Sequence, residues 1–327
     1  MAQRRHVKAV DRSARSHHVG AHSRCDVCNG RQALGRRPQL HRQPSDHDDA
    51  DHGEHTEGND GQQPYRRHKW HDRGVSPSPL PSLRTPPIAF AHRGGRAHGA
   101  DNALDTFALA LDMGATGLET DVWLSQDGHP MLDHDGVAWH RGVRRAFSSL
   151  QRERIGDDIP TLADMYQTCG TDFELSVDLK DPTAADAVIS AARAAGAEDR
   201  LWLCHGDWDL LVDLRGRTSA RIVDSTRVRR MKEGPERRAA AMADAGIDAV
   251  NLPAKDWTGG LAALFHRFER LCFGWDVQHT RLTAALRDMG LDGLYGDHVD
   301  RLLAGLDSSK TPGGSAPADD LCETQPA

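Results

Sequence analysis

The 327-residue sequence has no run of 18 or more apolar residues, so no transmembrane helix is expected. No apolar stretch follows Met1, and a secretory signal is not expected either. Cysteine is scarce and scattered, at Cys25, Cys28, Cys169, Cys204, Cys272 and Cys322. Such a set does not make a disulfide framework, and reduced thiols in a cytoplasmic protein are the simplest reading. Positive charge is not in excess. Lys and Arg number 41 against 48 Asp and Glu, a formal net charge of −7. Nothing global therefore favours nucleic acid or an anionic membrane as a partner, and any anionic substrate must be drawn by local groups.

Apolar periodicity is missing from residues 1–83, where ten of the nineteen histidines fall among Arg, Asp, Gln and Gly. Such a segment buries too little apolar area to offset its ordering entropy, so a disordered tail is expected there. Cys25 and Cys28 are half of a conceivable zinc site that His22 and His41 could complete, but there is no second C-x-x-C and no core around it, and a solvated tail is the expectation. The true start of the protein is expected downstream of Met1. A Pro- and Ser-rich linker, Ser76 to Pro87, marks the boundary. Residues 84–306 read as the folded domain, and 307–327 as a second disordered tail.

Within that domain the chain alternates strand and helix. Eight strands are predicted: Ile88–Ala91, Gly117–Leu124, Phe173–Leu179, Leu201–Cys204, Ala220–Asp224, Ala249–Leu252, Leu271–Val277 and Gly293–Tyr295. Seven amphipathic segments separate them, several stopped by glycine, as at Gly114, Gly196 and Gly246. Repeated β–α units imply a parallel sheet, and eight of them favour closure into a (β/α)8 TIM barrel with an insertion after the second strand. An open doubly wound sheet is the alternative. Against it, no glycine-rich dinucleotide fingerprint follows the first strand.

The stretch from Ile88 to Asp135 holds the chemistry. Its first strand ends in His92-Arg93-Gly94, where parallel α/β folds place their sites. Glu119 and Asp121, two apart on the second strand, point the same way and can share a cation. Hard oxygen ligands suit Mg²⁺ or Ca²⁺ better than zinc. Arg93 offers a planar fork to a phosphate. His134, returned by the Asp127-Gly128 turn, supplies a second imidazole. Two imidazoles, a cation and an arginine describe a phosphoryl-transfer site. On the third strand, Asp178 and Lys180 share a face. Asp101-Asn102 is read either as a helix cap or as part of the site, and His98, His129 and His140 as solvated loop residues.

These residues resemble the glycerophosphodiester phosphodiesterase family. His92-Arg93-Gly94, Glu119-Thr120-Asp121, Asp127-Gly128 and His134-Asp135 match its HRG, E-x-D, D-G and H-D elements in order and spacing. The P-E-N-T block appears as Ala100-Asp101-Asn102-Ala103, with a shorter carboxylate. Ile159-Pro160-Thr161-Leu162 closes the insertion, Asp178-Leu179-Lys180 matches E/D-x-K, and Trp275 and Leu291–Asp297 resemble the last two strand elements. Cys204-His205 stands where the family has S-F, so His205 is a further candidate.

The resemblance implies a metal-dependent hydrolysis of a small glycerophosphodiester to sn-glycerol 3-phosphate and an alcohol. It implies one divalent cation, Mg²⁺ or Ca²⁺, on Glu119, Asp121 and Asp178. Arg93 and Lys180 would bind phosphate, Trp275 would wall the glycerol pocket, and His92 and His134 would act as acid and base. Attack by the glycerol's own hydroxyl and attack by water both stay open. Neither nucleic acid nor stable membrane insertion is implied. A lysophospholipase D-like activity, for which the insertion offers Val137, Trp139, Val143 and Phe147 beside Arg141, Arg144 and Arg145, and a catalytically impaired phosphate-binding barrel are the alternatives.

Overall fold

The structure is a computed structural model and describes residues 78–307. The candidate zinc residues His22, Cys25, Cys28 and His41 lie outside the described residues, as do residues 1–77 of the expected N-terminal tail and the chain beyond Asp307.

The elements run β1 (Ile88–Ala91), α1 (Leu104–Asp112), β2 (Gly117–Leu124), β3 (Pro130–Leu132), β4 (Val137–His140), β5 (Val143–Ala146), α2 (Leu162–Cys169), β6 (Glu174–Leu179), α3 (Ala185–Ala195) and β7 (Leu201–His205). They continue α4 (Trp208–Arg215), β8 (Arg221–Ser225), α5 (Pro235–Ala245), β9 (Ala249–Pro253), α6 (Gly259–His266), β10 (Leu271–Trp275), α7 (Thr280–Asp288), β11 (Gly293–Gly296) and α8 (Val299–Leu306). The eight predicted strands are β1, β2 and β6–β11. They pair in parallel, and β1 hydrogen-bonds to both β11 and β2. That double pairing closes the barrel and excludes the open sheet. No described helix is long and apolar enough to cross a membrane.

Strand alternation decides what faces the lumen. Its packed layer is built by Ile88, Phe90, Trp202, Cys204, Val223, Ala249, Phe273 and Tyr295. Phe90 stacks on Tyr295 with centroids 4.5 Å apart, and Trp202 meets Phe273 edge-on at 5.0 Å. Gly117 and Gly293 leave room for these rings: a Cβ on Gly117 would come 2.6 Å from Phe90, and one on Gly293 would come 2.8 Å from Phe273. The opposite faces of the strands meet the helices in the larger apolar core. Because the lumen is filled by these rings, the residues beyond them at the strand C-termini line an opening rather than a channel.

The insertion between β2 and β6 holds structure that the sequence reading left irregular. β3 runs antiparallel to the end of β2, pairing Val122 with Leu132. β4 and β5 form a hairpin, with Trp139 opposite Arg144. The turn His140-Arg141-Gly142-Val143 lacks the usual Asn-Gly signal, which hid it. Helix α2 opens with a capping box between Thr161 and Asp164.

The expected tail boundary at residue 83 lies too far along the chain. Leu80 N donates to Asp288 O at 2.9 Å, and Ser82 Oγ to Asp292 Oδ1 at 2.6 Å. Two hydrogen bonds at the N-terminal end of the barrel thus order the last few residues before β1.

Candidate active site

Beyond the aromatic layer lies a cavity of about 280 Å³ lined by His92, Arg93, Glu119, Asp121, Asp178 and Lys180, and also by Ser176, Cys204, Ser225, Asn251, Trp275 and Tyr295. Its position follows from the register. Asp121 pairs with Asp178, and Glu119 with Ser176, so the carboxylates of β2 and β6 enter the lumen at matching heights.

The turn after β1 is strained in a useful way. Arg93 adopts φ 49°, in the left-handed region that disfavours a side chain. Its N–H then donates to Glu119 Oε2 at 2.9 Å. Asn102, also left-handed, donates its N–H to Arg93 O and accepts from Thr120 Oγ1 at 2.8 Å, which ties the turn to β2. The Arg93 side chain lies across the carboxylates. Its Nη1 reaches Asp101 at 3.1 Å, and its Nε lies 3.1 Å from Asp121 Oδ2 without hydrogen-bond alignment. Asp101 also contacts Arg96 at 3.2 Å, while helix α1 has no side-chain cap. The capping alternative for Asp101 is thereby corrected; the residue pairs with arginines.

Lys180 Nζ bridges Asp178 Oδ2 at 2.6 Å and Asp121 Oδ1 at 3.2 Å. Burial alone would lower the lysine's pKa, but the two carboxylates outweigh it and the net direction is up. Glu119 is pushed up to about 7, first by burial and then by Asp121 and Asp178, against the pull of His92. His92 Nδ1 lies 2.6 Å from Asp297 Oδ1, leaving Nε2 3.8 Å from Glu119 Oε2. Burial depresses the imidazole's proton affinity, yet Glu119 and Asp297 together raise it.

By the chemistry of its oxygen donors this set suits a hard divalent cation. Glu119 is a buried carboxylate whose proton affinity is raised by burial and by the neighbouring Asp121 and Asp178. Asp121 Oδ2 is buried with no hydrogen bond. Arg93 and Lys180 partly offset the carboxylates' charge from the chain itself. Among the described residues, ligand atoms gathered within 4.8 Å of one another occur in His98–His298–Asp300 and His266–Cys272–Asp292, whereas the oxygens of Glu119, Asp121 and Asp178 are not so gathered. In the first of those groups His98 Nε2 already accepts the Val299 N–H at 3.1 Å, so His98 is not the solvated loop residue expected. In the second, Asp292 accepts from Ser82, Arg84, Cys272 and His266, which leaves it committed.

His134 is not on the cavity wall. It sits on the segment leaving β3, with Nδ1 2.9 Å from Asp135 Oδ1 and its side chain 44% exposed. Asp133 N donates to Asp121 O at 3.1 Å, so the segment passes along the rim. His205 ends β7, accepts the Asp207 N–H at 2.9 Å and stays off the wall. Asp297, Gln278, Asn251, Ser176 and Tyr295 had no expected role. Counting in twos from the lumen residues would have found Ser176 on β6, Asn251 on β9, and Tyr295 and Asp297 at the end of β11.

The model of the glycerophosphoryl diester phosphodiesterase family matches residues 92–301. The chain belongs to that family. It is an enzyme of the glycerophosphodiester phosphodiesterase class. A Mycobacterium tuberculosis relative, named probable glycerophosphodiester phosphodiesterase 2, is 26% identical over 242 residues, covering 66% of this chain and 89% of the relative. Among solved structures, the glycerophosphodiester phosphodiesterase of Thermotoga maritima superposes with a TM-score of 0.58 at 21% identity, covering 66% of this chain and 96% of its own. An Oleispira antarctica phosphodiesterase in complex with the product sn-glycerol-3-phosphate superposes with 0.59 at 17% identity, covering 68% and 97%. At these identities the structural neighbours establish the barrel fold.

Proposed function

We propose that the barrel hydrolyses a small glycerophosphodiester to sn-glycerol 3-phosphate and an alcohol. The observation carrying this reading is the gathering of an imidazole, a guanidinium, an ammonium and three carboxylates round one cavity at the strand C-termini. The product bound to the Oleispira antarctica neighbour supports it. Glu119, Asp121 and Asp178 would hold one divalent cation, Mg²⁺ or Ca²⁺, which supplies Lewis-acid polarisation of a phosphate oxygen. Arg93 and Lys180 exchange their carboxylate contacts for non-bridging phosphate oxygens and offset charge as the transition state forms. His92 moves a proton at Nε2, since Asp297 holds Nδ1. His134 serves the other proton transfer from the rim, with its ring held by Asp135. Trp275 packs against the glycerol carbons.

The gathering of His92, Arg93, Lys180 and the three carboxylates round one cavity favours turnover over a binding-only barrel. Cys169, Cys204 and Cys272 are free thiols, which supports a reducing compartment such as the cytoplasm. The test is release of sn-glycerol 3-phosphate from glycerophosphocholine with Mg²⁺ or Ca²⁺, and again after chelation. No release with either ion would remove the hydrolase reading, and chelator-insensitive turnover would remove the cation.

A further inference from the structure

We infer that the β4–β5 hairpin is a docking element that seats the rim of the barrel on an anionic lipid surface. The hairpin stands on a fixed base. Ala138 is buried with Met131, Phe147, Leu150 and Ile155 in a satellite core, so the strands cannot fold back over their own apolar residues. Phe147 is thus removed from the surface, whereas Trp139 is 72% and Val143 52% exposed. Trp139 is the most exposed large apolar side chain among the described residues. The hairpin thus presents two large apolar side chains, Trp139 and Val143, to solvent on a rigid support.

Charge selects the surface that would meet them. Arg141, Arg144 and Arg145 are exposed on the same hairpin. Among the described residues Arg141 and Arg145 have no ion-pair partner, and Arg144 has Asp135 at 3.6 Å. Arg141 occupies the first position of a two-residue turn with φ 51°, followed by Gly142 with φ 78°. Such turns favour Asn, Asp or Gly there, so a long cation at the tip is held against backbone preference. Indole rings settle at the headgroup level of a bilayer, and neighbouring arginines bind its phosphates. The chain as a whole carries −7, which repels an anionic surface. Attraction confined to the hairpin therefore orients the molecule as well as holding it. A protein partner is a poorer match, because a stable interface takes about 800 Å² from each side and this tip offers only two large apolar side chains.

The placement gives the contact meaning. The hairpin begins three residues after His134, on the segment that hydrogen-bonds to Asp121 O at the rim. The inference concerns binding and does not depend on the hydrolytic reading.

The test is co-sedimentation of the full chain with vesicles of phosphatidylcholine alone or mixed with phosphatidylglycerol, at low and high salt. Binding is expected to the mixed vesicles only, and to fall with salt. The R141Q/R144Q/R145Q variant should bind on the order of 100-fold more weakly, and Trp139→Ser several-fold more weakly. All four side chains are exposed, so unchanged melting curves are expected of both variants; if one melts early, the other carries the test. No binding by the wild type, or equal binding by the variants, overturns the inference. So does self-association abolished by Trp139→Ser, which would assign the tip to a second copy of the chain.

Discussion

His92 and Asp297 are 205 residues apart in sequence, yet Nδ1 of one lies 2.6 Å from Oδ1 of the other. They leave adjacent strands, β1 and β11, whose pairing closes the barrel. Gln278 holds the second Asp297 oxygen at 3.1 Å. The carboxylate thereby fixes which nitrogen of His92 faces the cavity, and it favours the protonated ring. Asp297→Asn should lower kcat on the order of 100-fold with little change in KM, the loss expected when an acid/base group is misoriented. Removing the negative neighbour also lowers the proton affinity of His92. The limb of the pH–rate profile governed by His92 should move to lower pH, and an unmoved limb would detach Asp297 from His92 chemistry.

Glu119 links the site to stability. Its carboxyl is raised from 4.5 to about 7 by burial and by its acidic neighbours. Between those values the folded state binds more protons than the unfolded state, so stability falls as pH rises through that window. In chelated buffer the melting temperature should therefore drop from pH 5 to pH 7.5, as followed by circular dichroism. Glu119→Gln should flatten that slope while lowering turnover at least about 100-fold. A variant as pH-sensitive as the wild type would place the titration elsewhere.

The barrel was readable because each strand is an apolar run bounded by glycine or polar residues, and each helix repeats at three or four residues. Among the described residues, seven of the eight α-helices and all eight barrel strands follow from that pattern. Helix α8 escaped because it begins directly after the last strand motif. The cavity residues of the second and third barrel strands were readable because their spacing encodes a shared face, and His92 and Arg93 because they directly follow β1. Asp297 and Asn251 were not, because nothing local distinguishes a lumen-facing polar residue from a solvated one until the register is known. His134 shows the opposite limit: its spacing suggests convergence, but the loop after β3 leaves it at the rim.

Asp101 pairs with Arg93 and Arg96 at the surface, with its side chain 36% exposed. A pair so open to solvent contributes at most about 1 kcal/mol. Asp101→Ala should leave the melting temperature nearly unchanged. Arg93 loses a positioning contact at Nη1, so KM for the phosphodiester should rise a few-fold while kcat holds. A collapse in kcat would give Asp101 a direct part in the reaction.

Asp292 tests whether the end of the barrel opposite the cavity is separable from the chemistry. It is fully buried, and its two oxygens accept from Ser82 Oγ, Arg84 N, Cys272 N and His266 Nε2 at 2.6, 2.9, 2.7 and 2.8 Å. It thus joins the segment before β1 to β10, α6 and β11. Asp292→Ala would strand two backbone N–H groups and loosen that segment, at a cost of about 3–5 kcal/mol. For a domain of this size that is roughly a 10 °C fall in melting temperature. Because the residue precedes β11 and the cavity lies at the other ends of the strands, kcat at 25 °C should stay within about two-fold of wild type, the separation expected of a barrel's stability and catalytic faces. A large loss of kcat in protein that is still folded at that temperature would show that the two ends are coupled.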